Sequence, residues 1–174
     1  MEAIVYHGSS RKLQRFHGYT ASKKKDRMQY GCGLYTTTSY RWANVYGRCL
    51  NTMRVELDPS ASSRKVQVTK EDCIAFIGEN ISQKQKKHFI ERFEEQETLT
   101  AYEFQFYLLV FYPKVHLIGQ ALNDWFVSIG VQYTVEHEIK GDLVLIHDFR
   151  IIREMVDAAD YGFEEQPRID KELF

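Results

Sequence analysis

Cysteine is scarce in this sequence, and its three residues do not form pairs. Cys32, Cys49 and Cys73 are scattered and odd in number, which favours reduced thiols over a disulfide framework. Their spacing does not match that of a structural zinc site. His116, His137 and His147 do not share a helix with acidic or cysteine partners at metal-ligand spacing. We therefore expect no metal.

The chain also lacks an excess of one charge and a long apolar run. It has 23 basic and 24 acidic residues, a formal net charge of -1, so bulk charge gives no attraction to nucleic acid or an acidic membrane. No run reaches the roughly 18 apolar residues of a membrane span. The start, "MEAIVYHGSS", lacks the pattern of a signal peptide. These absences predict a cytoplasmic protein with no membrane partner.

What remains is sufficient for one core. With 174 residues and 44% hydrophobic content, the chain predicts a single domain over residues 1–174. Its charged tail from about residue 164 is expected to fray. Aromatic residues make up 14%, which suits either a core or surfaces that stack a planar ligand.

The residue patterns predict strands first, then clustered helices and a hairpin. Ser39 is positioned to cap a short helix that ends at Gly47. Thr100 and Glu103 form a capping-box pattern, as do Ser82 and Gln85. Strands are expected within 3–8, 33–39, 51–60 and 64–72, helices within 82–97, 100–112 and 119–130, and a hairpin within 131–152 that turns at Lys140 and Gly141. Clustered helices that do not alternate with strands predict an α+β fold.

The first candidate motif is "YHGS". His7 follows an apolar strand and offers two ring nitrogens, while Gly8 allows a ligand to approach the backbone N–H and C=O. Taken alone, "GSS" is equally typical of a turn that merely closes the strand.

The second motif is "YGCGLYTTTSYRWANVYG", residues 30–47. Gly31 and Gly33 permit a tight turn, and Tyr35 on the following strand offers a ring for stacking. These glycines precede a strand and do not link a strand to a helix, so they do not form a phosphate-binding loop.

Together these motifs resemble the ADP-ribosyltransferase superfamily, in its diphtheria-toxin and poly-ADP-ribose-polymerase branch, which carries a His, a Tyr and an acid on three strands. The resemblance implies a split antiparallel sheet core and NAD as co-substrate. It implies that His7 holds a ribose hydroxyl and that the Gly8 backbone pairs with the nicotinamide amide. It also implies that Tyr35 stacks on nicotinamide, with Ala43 and Tyr46 closing the pocket. Ser9 and Thr36 complete the expected NAD-binding residues, and the basic stretch at 22–27 is expected near the phosphates.

The catalytic acid has two candidate positions. "GDLVLIHD" resembles the family's late strand and assigns the acid to Asp142, although the family commonly has glutamate there. Asp142 could also be a plain turn residue. A second, arginine-specific branch uses a Ser-Thr-Ser strand and a Glu-x-Glu pair, echoed by "TTTS" and by Glu136 and Glu138. A strand places those two glutamates on one face, and they remain alternatives to Asp142.

The resemblance implies a mono-ADP-ribosyltransferase that modifies a macromolecule, a protein in the first instance, with nucleic acid open as an acceptor. A bacterial or phage effector or toxin, with an antitoxin or inhibitor as partner, fits this reading by analogy. The alternatives are an NAD glycohydrolase, a catalytically silent NAD- or protein-binding module, and an unrelated interaction domain.

Overall fold

The computed structural model describes residues 1–14, 29–82, 86, 89–91, 97–156 and 165–169. Eight strands are present in this part of the chain: β1 (Glu2–Ser9), β2 (Leu34–Thr37), β3 (Cys49–Glu56), β4 (Gln67–Thr69), β5 (Thr98–Thr100), β6 (Tyr133–Glu138), β7 (Gly141–Ile146) and β8 (Ile152–Val156). Six of them form one antiparallel sheet in the order β6-β7-β2-β1-β3-β8. β4 and β5 form a separate antiparallel ribbon.

Four helices with defined bounds lie outside the sheet: α1 (Tyr40–Val45), α2 (Lys70–Asn80), α3 (Ala101–Phe111) and α4 (Gly119–Ser128). Residues 86 and 89–91 are also helical. Short 3₁₀ turns lie at Pro59–Ala61, Val115–Leu117 and Phe149–Ile151. The chain therefore has the predicted α+β fold, with a mostly antiparallel sheet. No helix in the described ranges is long and apolar enough to span a bilayer.

Helix starts follow the predicted caps. The hydroxyl of Ser39 accepts a hydrogen bond from the backbone N–H of Trp42 at 3.1 Å and starts α1. The Thr100 hydroxyl accepts from Glu103 N at 3.1 Å, and the Glu103 carboxylate accepts from Thr100 N at 2.7 Å. Each pair satisfies backbone N–H groups that have no partner within the helix.

Helix α2 corrects the prediction of a strand over residues 64–72. β4 ends at Thr69, whose hydroxyl accepts from Asp72 N at 3.1 Å, and the Asp72 carboxylate accepts the Thr69 hydroxyl at 2.7 Å. This capping box starts a helix immediately after the strand. Most of the helix predicted over residues 82–97, including Gln85, lies outside the described residues.

Two apolar clusters form the core. One lies among the helices and the β4–β5 ribbon, with Phe76, Phe104 and Phe126 as large buried members. The other lies on one face of the sheet and includes Val5, Val144 and Ile169. The two clusters share no residue, and only the second is built on strands of the six-stranded sheet.

The charged tail was expected to fray from about residue 164, but residues 165–169 are packed against the sheet. Ile169 is 3% exposed and packs in the sheet cluster. The backbone N–H of Gln166 donates to the Thr38 carbonyl at 3.0 Å. An apolar side chain and backbone hydrogen bonds thus hold this short stretch of a highly charged sequence.

β1 and β2 separate soon after they meet. They pair in register at Tyr6 and Thr37, whereas β1 pairs with β3 along its whole length, from Glu2 opposite Glu56 to Ser9 opposite Cys49. The sheet therefore opens between β1 and β2 at the end that carries His7 and Tyr35.

Candidate functional site

Tyr35 is held against the glycine turn that precedes it. Its hydroxyl donates to the Gly31 carbonyl at 2.8 Å and accepts from the backbone N–H of Tyr30 at 3.1 Å. Gly31 and Gly33 have φ values of 119° and 117°, which side-chain-bearing residues rarely adopt. A Cβ on Gly31 would also lie 2.2 Å from the Gln105 side chain. The turn thus requires glycine for its own packing and fixes the Tyr35 ring.

Glu136 and Glu138 lie on the same sheet face as Tyr35. Cross-strand pairing places Tyr35 beside Leu145, and Leu145 beside Thr134. Because side chains alternate along a strand, residues 134, 136 and 138 share one face. The two glutamates of the "EHE" pattern therefore face the same side as the Tyr35 ring.

Tyr30 links this acidic pair to Tyr35. A hydrogen bond to the Glu138 carboxylate, assisted by burial and by the nearby charges of Glu138, Tyr46 and Glu136, raises the pKa of the Tyr30 phenol to about 12. The phenol therefore stays protonated at neutral pH and donates to Glu138. Since Tyr30 N also bonds the Tyr35 hydroxyl, one residue joins Tyr35 to the acidic strand.

Glu136 has a cationic partner. Arg64 Nη2 donates to Glu136 Oε2 at 2.9 Å, and the guanidinium carbon lies 3.6 Å from the centre of the Tyr102 ring. Arg64 Nε also donates to the Val135 carbonyl at 3.3 Å. Burial, together with Glu136, raises the pKa of Tyr102. These contacts fix the orientation of Glu136 and offset its charge.

His7 occupies the opening between β1 and β2. Its Nδ1 lies 2.7 Å from the Tyr35 carbonyl oxygen and so carries the proton. Burial lowers the pKa of His7, against the smaller opposite effect of this hydrogen bond. The ring is therefore neutral at pH 7, with Nε2 as its acceptor nitrogen.

Asn51 supports the "HGS" segment, and the sequence patterns did not identify it. It is 2% exposed and pairs with His7 across β1 and β3. Its Nδ2 donates to the His7 carbonyl at 3.2 Å and to Ser9 Oγ at 2.8 Å, and its Oδ1 accepts from Leu13 N at 2.6 Å. An asparagine inside an apolar strand was the available signal. It fixes the backbone that presents His7 and Ser9.

Gly8 brings α1 directly onto β1. A Cβ at Gly8 would lie 1.9 Å from the Ala43 carbonyl oxygen, and one at Gly47 would lie 2.3 Å from Ser9 N. Ala43 is buried, whereas Tyr46 is 67% exposed and its hydroxyl accepts from Trp42 Nε1 at 3.2 Å. The two residues expected to close the pocket therefore have different surroundings. Ala43 packs against β1, and Tyr46 lies at the surface.

Thr36 is fully engaged within the sheet. It is buried, and its hydroxyl donates to the Val144 carbonyl at 2.7 Å. In this structure the hydroxyl therefore stabilises the pairing of β2 with β7.

Asp142 lies away from the Tyr35 face. It alternates with Leu143 and shares a face with Val144 and Ile146, which belong to the sheet cluster. Its side chain is 0% exposed. The structure thus brings Tyr35, Tyr46 and the two glutamates to one side of the sheet and places Asp142 on the other. The His7 side chain also lies on the Asp142 side, because it alternates with Tyr6 and shares a face with Val5 of the sheet cluster.

A buried polar cluster contacts the glycine turn at Cys32. His147 Nδ1 lies 3.1 Å from Asn123 Oδ1 and 3.9 Å from Cys32 Sγ, and Nε2 lies 2.9 Å from Thr134 Oγ1. Burial lowers the pKa of His147 to about 3, and burial raises the pKa of the Cys32 thiol. The thiol therefore stays protonated, and this Cys-His-Asn grouping is a structural network with no active nucleophile.

Metal-binding clusters of three or more His, Cys, Asp or Glu residues are absent from the part of the chain that the structure describes. No family model matches this sequence. No curated protein matches it either. A solved structure described as "Crystal structure of an anti-CRISPR protein" is similar over 86% of this chain and 92% of its own, with 15% identity and a TM-score of 0.39. That likeness is too weak to assign fold or function.

Proposed function

We propose that this chain is a mono-ADP-ribosyltransferase that cleaves NAD and transfers ADP-ribose to a macromolecular acceptor, with a protein as the first candidate. The observation that carries the proposal is the strand register, which places the Tyr35 ring, held by hydrogen bonds to Gly31 and Tyr30, on the same sheet face as Glu136 and Glu138. A stacking ring and a carboxylate are thereby held on one face of the sheet. They lie next to the opening where β1 and β2 separate.

The strand arrangement supports the proposal. The three motifs lie on β1, on β2 and on the β6–β7 hairpin, and the sheet order places these strands side by side. Motifs that are more than 100 residues apart in sequence are therefore close in space. The family resemblance implies a split sheet, and we propose that the nicotinamide end of NAD binds where β1 and β2 pair only briefly, at Tyr6 and Thr37.

His7 is suited to hold a ribose hydroxyl. Its Nδ1–H is committed to the Tyr35 carbonyl, which fixes the ring and the tautomer. In the neutral ring Nε2 is an acceptor nitrogen, which is the type of group that binds a hydroxyl proton. The Gly8 backbone and the Ser9 hydroxyl, held by Asn51, are the adjoining polar groups.

For the catalytic acid we propose Glu138, the alternative to Asp142. Glu138 shares the face of Tyr35 and bonds Tyr30, whereas Asp142 is fully buried on the opposite face. In the proposed reaction, the bond between ribose C1 and the nicotinamide nitrogen breaks and nicotinamide leaves with the electron pair. The acceptor nucleophile bonds to C1 and loses its proton. A carboxylate stabilises the positive sugar centre between these events.

A second candidate function is a catalytically silent module that binds NAD or a protein. The observation that favours it is the burial of Asp142, the residue that the family resemblance assigns as acid. Such a module keeps NAD binding through Tyr35 and His7 and lacks turnover. By the same family analogy, we propose that the protein acts in the cytoplasm as a bacterial or phage effector.

The deciding experiment uses NAD labelled in the adenylate phosphate, incubated with the purified protein in a bacterial lysate. We expect label on a macromolecule with the wild type and with Asp142→Asn at reduced rate. We expect a loss of about 100-fold or more with Glu138→Gln, the scale on which removing one electrostatic group acts. Glu71→Gln, which changes an exposed carboxylate on α2, is the matched control and should leave transfer unchanged.

The alternatives give different results. Free nicotinamide without a labelled acceptor indicates a glycohydrolase. Binding of NAD without either product indicates the silent NAD-binding module. Absence of NAD binding rejects the transferase and the NAD-binding module and leaves only a module that binds a protein. Full transfer by Glu138→Gln together with none by Asp142→Asn would return the acid to Asp142.

A further inference from the structure

Asp142 is the meeting point of four chain segments. Its Oδ1 lies 2.9 Å from His137 Nδ1, on the paired strand β6. Its Oδ2 accepts the backbone N–H of Ile169 at 2.6 Å. Its own backbone N–H donates to Thr38 Oγ1 at 2.9 Å, and its carbonyl accepts from Thr38 N at 2.9 Å. No solvent reaches the side chain.

The segment Glu165–Ile169, here called the strap, extends this contact in both directions. Arg168 lies 3.8 Å from Asp142 Oδ1 and donates to the Ile139 carbonyl at 3.0 Å, at the tip of the β6–β7 hairpin. Gln166 donates through its backbone to Thr38 and through its side chain to the Tyr6 hydroxyl at 2.8 Å. The strap thus touches β1, the hairpin and the junction before α1.

Asp142 and the strap contact α1 at its start and in its first turn. Thr38 immediately precedes Ser39, the N-cap of α1. The Glu165 carboxylate accepts the backbone N–H of Arg41 at 3.2 Å. The end of α1 carries Tyr46, and the hairpin carries Glu136 and Glu138, so the strap contacts both elements that border the Tyr35 face.

We propose that Asp142 is a positioning residue that docks the strap, and that the docked strap fixes α1 and the β6–β7 hairpin relative to each other. A buried carboxylate with both oxygens engaged suits this task, because removing it leaves the Ile169 N–H without its acceptor in a dry site. The docking is argued from this structure alone. Only its consequence for catalysis rests on the proposed function.

The test is hydrogen exchange measured by mass spectrometry on the full chain, with Asp142→Ala and Ile169→Ala as independent variants. Ile169→Ala removes the buried side chain of the strap and leaves Asp142 intact. Both should speed exchange in the peptides covering residues 38–46 and 134–141 by about tenfold or more, the scale expected for losing a hydrogen bond to a buried charged group.

The matched control is Asp148→Ala. Asp148 is a buried carboxylate just beyond the other end of β7, where its carboxylate accepts from Arg150 through the backbone N–H at 3.0 Å and through Nε at 2.8 Å. It should lower stability without selectively speeding exchange in those two peptides. If Asp142→Ala and Asp148→Ala have the same exchange pattern at equal loss of stability, the proposal is overturned.

NAD turnover provides a second readout. A positioning role predicts that Asp142→Ala raises KM for NAD together with faster exchange, and that Ile169→Ala reproduces both effects. Loss of kcat with unchanged exchange would place Asp142 at the reacting atoms and overturn the proposal. If the wild type does not bind NAD, the proposed function fails, and the exchange pattern alone still decides the role of the strap.

Discussion

Tyr35 has two separable roles, a ring that can stack and a hydroxyl that anchors the glycine turn. Tyr35→Phe keeps the ring but leaves the Gly31 carbonyl and the Tyr30 N–H without this partner. We expect it to lower the free energy of unfolding by about 1–2 kcal/mol and to retain NAD binding, measured by urea denaturation and calorimetry. Tyr46→Phe, at an exposed residue, should change stability by less than about 0.5 kcal/mol. A Tyr35→Phe variant as stable as the wild type would mean that the hydroxyl does not hold the turn.

At this scale the sequence indicated residue types better than it indicated their surroundings. Glycines before a strand and a tyrosine on that strand were recognisable as a tight turn and a strand position. The roles of Tyr30, Arg64 and Asn51 were not recognisable, because the partners that give them these roles lie on strands far along the chain, as Glu136 does for Arg64 and His7 does for Asn51. The face of Asp142 was equally hidden, since a shift of one residue in the pairing of β6 with β7 moves every side chain to the other face. The turn at Lys140 and Gly141 was predicted, but the register was not.

The packing of α1 on β1 depends on two glycines. Gly8→Ala would place a Cβ 1.9 Å from the Ala43 carbonyl, and a backbone atom cannot rotate away. We expect a loss of about 1–3 kcal/mol, as for an overpacked core, measured by thermal and urea unfolding. Gly78→Ala in α2 is the control, because nothing lies within 4 Å of its new Cβ. Alanine favours a helix interior over glycine, so this variant should gain up to about 1 kcal/mol. Equal effects of the two changes would contradict the close contact.

Elements with strong local signals were predictable, and those without them were not. The capping pairs at Ser39 and Thr100 act within four residues, and both helices begin where the sequence indicates. α2 was missed although Thr69 and Asp72 carry the same signal, because the alternating residues before Thr69 favour a strand that was extended through the cap. The capping box of Thr69 and Asp72 marks the boundary between β4 and α2.

The overall arrangement depends on contacts that no local pattern contains. The strap bonds Tyr6 from Gln166, 160 residues further along the chain. The sheet order places β7 between β2 and β6. Periodicity indicates which residues are apolar, but it does not state which strands pair. The family resemblance implied a split sheet, and the α+β class followed from the clustering of helices. The composition of the charged tail did not predict that residues 165–169 pack against the sheet.

Stability of the whole molecule should fall in mild acid because His147 is buried in a neutral state. Burial lowers its pKa from 6.5 to about 3, so between these values the unfolded chain binds a proton that the folded chain does not. The contribution is therefore complete above pH 6.5 and is lost as pH falls. From pH 7 to pH 5 we expect a loss of about 2 kcal/mol from this group.

The measurement is urea denaturation at intervals between pH 7.5 and 5. Burial lowers the pKa of His7 as well, so it adds to the loss in the same direction. The carboxylates Asp58 and Asp148 have pKa values lowered by hydrogen bonds to Ser60 and Arg150, and their contributions are lost only below about pH 3.8. His147→Gln should be less stable at pH 7 but show a shallower decline with acid. A wild-type stability that stays constant from pH 7 to pH 5 would contradict the burial of neutral His147, because the buried His7 changes stability in the same direction over that interval.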